Sequence, residues 1–120
     1  MPKTAHLTRR LKPRHKAWLV WDGRFLMGPN YERFLTAVER TGTIREAGKV
    51  VGWSYRTCLN RVRRMEQVLG APVLATTRGG RTHGTARLTP VARRLLRVFG
   101  KWREAMRRKA DALFADVVKR

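Results

Sequence analysis

Between Thr43 and Gly70 the sequence starts a helix, stops it, starts a second and stops that one too. Thr43-Ile44-Arg45-Glu46 has the form of a capping box: the threonine oxygen accepts a backbone N–H, and a glutamate three residues on reaches back. The short helix it opens runs to about Val51, with Ile44, Ala47 and Val51 able to face inward. Gly52-Trp53 makes a tight turn, Ser54 caps a longer helix over 54–69, and Gly70 ends it. Two helices joined by so short a turn form a helix-turn-helix unit.

The flanks continue the pattern. Ala17-Trp18-Leu19-Val20-Trp21 and Phe25-Leu26-Met27 bracket Asp22-Gly23, a strong hairpin signal because both central residues tolerate positive φ. Asn30 is expected to cap a helix over 31–41 that puts Tyr31, Phe34, Leu35 and Val38 on one face and stops at Gly42. Downstream, 73–77 reads as a strand, 78–84 as a basic, glycine-rich tip and 85–88 as the returning strand. Thr89 caps and Pro90 begins a last helix reaching about Val118, with Gly100 as its weak point. The fold expected is mainly α with small β-hairpins, a winged helix-turn-helix with a long C-terminal dimerisation helix. Its parts are a flexible basic arm (1–15), the N-terminal hairpin plus winged helix-turn-helix (16–89) and the long helix (90–120), one compact domain overall.

Charge narrows the function. Lys and Arg total 28 against 8 Asp and Glu, a net +20, which attracts polyanions. Nucleic acid is the first partner this suggests, anionic membrane the second and an acidic protein the third. No apolar run approaches the ~20 residues of a membrane span, and Asp111 and Asp116 weaken a membrane role for the last helix. One cysteine, Cys58, allows no internal disulfide and suits a reducing cytoplasm; its place on an apolar face suggests a small core residue.

Catalysis finds no support. His6, His15 and His83 share no metal-ligand spacing, no Ser or Cys sits in a nucleophile elbow, and no cofactor or metal is expected. Glu66 falls near an inner helix edge, where it could pair with a basic neighbour. Gly79, Gly80 and Gly84 lack the Gly-Lys-Ser/Thr of a phosphate loop; at a hairpin tip they instead let backbone approach DNA, with Arg81 free to enter a minor groove. Trp18, Trp21, Trp53 and Trp102 each sit among apolar residues and are expected in the core rather than stacked on bases.

The helix over 54–69 carries one signal, and the order of parts around it (helix, capped short helix, tight turn, basic helix, basic glycine-rich hairpin) is the sharper one. Cys58, Val62, Met65 and Leu69 fall within about 60° of one another at helical spacing. The opposite face holds Arg56, Asn60 and Arg63, flanked by Thr57 and Arg64. A helix apolar on one side and cationic on the other fits a major groove, where Arg can read guanine and Asn adenine.

SYRTCLNRVRRMEQVLGAPVL followed by RGGRTHGTARLTPVARRLL resembles the winged helix-turn-helix of LysR-type regulators and of the molybdate-responsive ModE family. The ModE likeness is closer, because LKPRHKAWLVWDGRFLMG looks like that family's N-terminal hairpin; it covers about residues 11 to 105. The resemblance implies that Ser54, Tyr55, Arg56, Thr57 and Asn60, with Arg63 and Arg64, face duplex DNA. It places Arg78, Gly79, Gly80, Arg81, His83 and Arg87 on the wing against flanking DNA. It implies a homodimer through the last helix, whose stripe includes Leu95, Phe99, Trp102, Met106, Leu113 and Val117. Full-length ModE proteins continue into oxyanion-binding domains; this chain stops, so molybdate binding is not expected in it.

The function expected is a dimeric, sequence-specific transcriptional regulator of double-stranded DNA, cytoplasmic and nucleoid-associated in a prokaryote, preferring an inverted repeat. The alternatives are a nucleoid-architectural protein that coats DNA with low specificity, which the +20 charge motivates, and an adaptor holding a protein partner through the last helix.

Overall fold

Asp22 and Gly23 both take positive φ, 49° and 78°, the pair of conformations a type I′ turn needs. They join β1 (Leu19–Trp21) to β2 (Arg24–Met27) as an antiparallel ribbon with a bulge between Leu19 and Val20. The structure, a computed structural model, describes Leu7, residues 9–77 and residues 84–119. Within the N-terminal basic segment Leu11 donates to the Leu7 carbonyl at 2.9 Å, one helical turn where the sequence suggested no periodicity.

Helix α1 (Pro29–Thr41) begins earlier than expected. Pro29 takes a first-turn position, where its missing N–H is no loss, and Gly28 rather than Asn30 precedes the helix. Asn30 therefore lies inside the first turn, and its side-chain oxygen accepts from Arg33. Helix α2 (Ile44–Val51) has half of the capping box. Thr43 Oγ1 accepts from the Glu46 N–H at 3.1 Å, while the Glu46 carboxylate turns to Lys49 and the Thr43 N–H donates to Thr41 Oγ1. Helix α3 (Tyr55–Leu69) is capped by Ser54, whose Oγ accepts from the Thr57 N–H at 3.1 Å.

The inner face of α3 buries Cys58, Val62, Met65 and Val68; Leu69 is only partly covered, so the last buried position is one residue earlier than the spacing suggested. Among the described residues Glu66 makes no ion pair. Its Oε2 accepts from the Val73 N–H at 2.8 Å and ties α3 to the segment that leads into the next strand. Strands β3 (Leu74–Thr76) and β4 (Ala86–Leu88) pair antiparallel, Leu74 opposite Leu88, and bury Leu74, Ala86 and Leu88 inward. The Ala86 N–H donates to the Gly42 carbonyl at 2.7 Å, fixing this wing to the α1–α2 turn. Thr89 Oγ1 accepts from the Ala92 N–H and opens α4 (Pro90–Lys119), which runs unbroken through Gly100.

One core joins these pieces: Met27 from the ribbon, Phe34, Leu35 and Val38 from α1, Ala47 from α2, Cys58 and Met65 from α3, Val73, and Ala92 and Phe99 from α4. Within it α2 and α3 pack closely at Gly48. A Cβ on Gly48 would lie 2.6 Å from Cys58 Sγ and 2.8 Å from the Trp53 carbonyl oxygen. That same region carries the turn, since Gly52 and Trp53 both donate their N–H to the Gly48 carbonyl. Cys58 is wholly buried there, and burial pushes its thiol pKa up, which keeps it unreactive.

Gly48→Ala is expected to destabilise the fold by roughly 1–3 kcal/mol through overpacking, read from urea unfolding. Adding Cys58→Ala should restore part of this loss and no more, because the backbone carbonyl of Trp53 cannot move aside. Full restoration would place the strain at the thiol alone.

Candidate nucleic-acid interface

Ser54 and Gly52 set the direction in which α3 leaves the turn, and Trp53 between them anchors it. Its ring packs on Phe34 at 5.2 Å and edge-on to Tyr31 at 5.3 Å, and Tyr31 meets Phe25 of the ribbon edge-on at 5.3 Å. Arg61 of α3 stacks over Trp53 at 5.3 Å and donates to Tyr31 Oη at 3.2 Å. The ribbon, α1 and the turn thus form one aromatic brace under α3. Of the four tryptophans expected inside, Trp53 is half-buried against the core, and Trp102 meets the buried Phe99 edge-on at 6.2 Å. Trp18, Trp21 and Trp102 are exposed, because the ribbon and the outer side of α4 have no covering layer in a single chain.

With its apolar side held, α3 presents Arg56, Asn60, Arg63 and Arg64 outward, all exposed. Among the described residues none of the four makes a hydrogen bond or ion pair with another side chain, so each can reach a ligand without breaking an internal contact. Ser54 and Thr57 differ: Ser54 Oγ donates to Thr57 Oγ1 at 3.0 Å as well as capping the helix, so these hydroxyls are engaged at the helix start. Tyr55 is exposed beneath the Arg45 guanidinium, 4.6 Å from ring centre to Cζ.

On the wing, Arg87 is exposed between buried Ala86 and Leu88, as strand alternation requires. Arg78, Gly79, Gly80, Arg81 and His83 lie outside the described residues. Among the described residues no helix is long and apolar enough to cross a membrane, and no group of His, Cys, Asp and Glu is placed to hold a metal.

Residues 31–93, from the first turn of α1 into α4, match the bacterial regulatory helix-turn-helix proteins of the lysR family. The chain belongs to that family. Among curated proteins it is similar to the molybdenum-pterin-binding protein MopB of Rhodobacter capsulatus, 38% identical over 74 residues, 62% of this chain and 27% of that protein. It is also similar to MopA of the same organism, 33% identical over 91 residues, covering 76% and 34% of the two chains. The molybdenum transport protein ModE of Herbaspirillum seropedicae is 34% identical over 79 residues, 66% and 28% of the respective chains. The match therefore spans about a third or less of the length of these relatives. As in other members of the lysR family, the helix-turn-helix is a DNA-binding domain, and α3 is its second helix.

The long helix divides its stripe. Phe99 is buried in the chain's own core, and Leu95 is half-buried against it. Val98, Trp102, Met106, Leu113 and Val117 remain exposed. Glu32 of α1 clamps the middle of the helix, receiving Arg103 Nε at 2.7 Å and Nη2 at 3.1 Å beside Gly100. Neither this pair nor the Arg61 stack was legible in the sequence, because each joins residues far apart in the chain and only the packing brings them together.

Arg61 and Arg56 are both exposed arginines on α3, yet they should behave oppositely. Arg61→Ala is expected to cost about 1–2 kcal/mol of stability, from its stacking and its hydrogen bond. Arg56→Ala should fall within about 0.5 kcal/mol of the parent. Thermal or urea unfolding of the two variants side by side measures the contrast, and equal stabilities would remove Arg61 from the brace.

Proposed function

We propose that this chain is a dimeric transcriptional regulator that reads a specific duplex sequence with α3 in the major groove. The observation that carries the reading is the exposed, unpartnered row of Arg56, Asn60, Arg63 and Arg64 directly behind the buried Cys58, Val62 and Met65. Arg56 and Asn60 lie toward the helix N-terminus, the part that meets base edges in this docking geometry. Arginine pairs bidentately with guanine O6 and N7 and asparagine with adenine N6 and N7, whereas Arg63, Arg64, Arg87 and the basic wing tip serve phosphates.

Dimerisation is supported by the outer side of α4. A helix of 30 residues extends ~45 Å, and Val98, Trp102, Met106, Leu113 and Val117 along it stay exposed among the described residues. An isolated helical turn is marginal in water, so an apolar row of this length calls for a second surface. A second copy supplies an identical stripe, and two-fold pairing would present two α3 helices to an inverted repeat.

Two outcomes are expected. Arg56→Ala should lose roughly 1–3 kcal/mol of discrimination between the selected site and a guanine-substituted one, measured by competition binding. Equal weakening on every sequence would make Arg56 a phosphate contact. Leu113→Asp with Val117→Asp, both far from the core, should convert a dimer to a folded monomer in sedimentation equilibrium; unchanged mass would place the interface elsewhere.

A further inference from the structure

Beside the exposed row of α3 lies a notch of about 460 Å³ between the start of α2 and α3 on one side and the wing on the other. Its cationic wall is Arg45, laid over the Tyr55 ring. Its opposite wall is formed by Thr77 and Thr85, and Ile44 and Leu59 contribute apolar lining. Among the described residues no acidic one lines it. Arg45 is exposed and has no carboxylate partner among the described residues, since the adjacent Glu46 is paired with Lys49.

The hydroxyl wall can be counted for protons. Thr77 Oγ1 and Thr85 Oγ1 are 2.6 Å apart, so one of their two hydroxyl protons is spent between them. Thr77 Oγ1 also accepts from the Thr85 N–H at 3.2 Å. Among the described residues one O–H therefore remains to donate outward, whichever hydroxyl carries it. The notch offers a guanidinium on one side and a hydroxyl donor on the other, with no fixed negative charge between them. That is a donor set for an anionic oxygen group. Its two walls are held in register by the Ala86 N–H on the Gly42 carbonyl, so the gap is a built feature of the wing's attachment.

We propose that this notch seats one backbone phosphodiester of the duplex whose major groove receives α3, with Arg45 as its cationic ligand. Tyr55 is then a positioning residue for Arg45 rather than a reader of bases. The inference rests on the DNA-binding reading above and adds to it a phosphate site at the junction of helix and wing. Stacking on Tyr55 restrains the Arg45 side chain, which lowers the entropy lost when it grips the phosphate.

The test uses the full chain and a duplex carrying its selected site, with single methylphosphonates walked along both strands to remove one backbone charge at a time. Arg45→Ala should bind the unmodified duplex about tenfold more weakly, as loss of one charged hydrogen bond implies. Its ranking of sequences should not change, and the slope of log K against log salt should be shallower by about 0.9. One methylphosphonate position should weaken the parent about tenfold and leave Arg45→Ala unaffected. Tyr55→Phe should bind like the parent and Tyr55→Ala should lose part of the Arg45 effect. If every methylphosphonate costs Arg45→Ala what it costs the parent, the phosphate site is overturned while sequence-specific binding stands. A change in sequence ranking would overturn it too, by making Arg45 a base contact. If the parent binds no duplex at all, the proposed function falls and this site with it.

Discussion

The placement of α3 depends on the close packing of Gly48 against the residues that face it. Where any other residue would put a Cβ, Cys58 Sγ and the Trp53 carbonyl already stand at 2.6 and 2.8 Å. The absence of a side chain at Gly48 lets α3 cross α2 at contact distance, and the small, wholly buried thiol of Cys58 fills what remains. Because the Gly48 carbonyl also accepts from Gly52 and Trp53, one residue sets the crossing and the turn together. From that point outward Trp53 locks into Phe34 and Tyr31, Arg61 stacks on Trp53, and α3 is aimed with Arg56, Arg63 and Arg64 free of side-chain partners among the described residues.

Local signals were legible in the sequence where a single residue governs the backbone. Asp22-Gly23 forms the turn its positive φ values require, Ser54 and Thr89 cap the helices they precede, and glycines close α1, α2 and α3 in the left-handed conformation. Reading fails where two local preferences compete. Pro29 displaces Asn30 from the cap because a proline pre-set for the first turn starts the helix sooner. Glu46 gives up its half of the capping box to Lys49, three residues along the same exposed face. Apolar character alone misplaced Trp18, Trp21 and Trp102, since hydrophobicity says that a residue seeks cover but not which layer supplies it.

Site residues followed the same division. The face of α3 that carries Arg56, Asn60, Arg63 and Arg64 could be drawn from helical spacing, because burial of Cys58, Val62 and Met65 dictates what points away. Arg45, Thr77 and Thr85 could not, since they belong to separate elements and meet only once Ala86 has fastened the wing to the α1–α2 turn. The net charge of +20 gave the class of partner but also sets an opposing demand. In the proposed dimer two copies would repel at low salt, so pairing through α4 would rest on its apolar stripe, and a polyanion between the copies would relieve the repulsion. Binding to DNA and association of the chains would then be linked through electrostatics as well as through geometry.

The central claim is that α3 lies in the major groove, and chemical modification of bases tests it most directly. Guanine N7 faces the major groove and adenine N3 the minor groove, so methylating each in turn before binding separates the two. Methylation of guanine N7 at discrete positions, repeated with two-fold symmetry, is expected to block binding, with adenine N3 methylation mattering only at the flanks. Binding that tolerates N7 methylation at every guanine of the selected site would contradict the account.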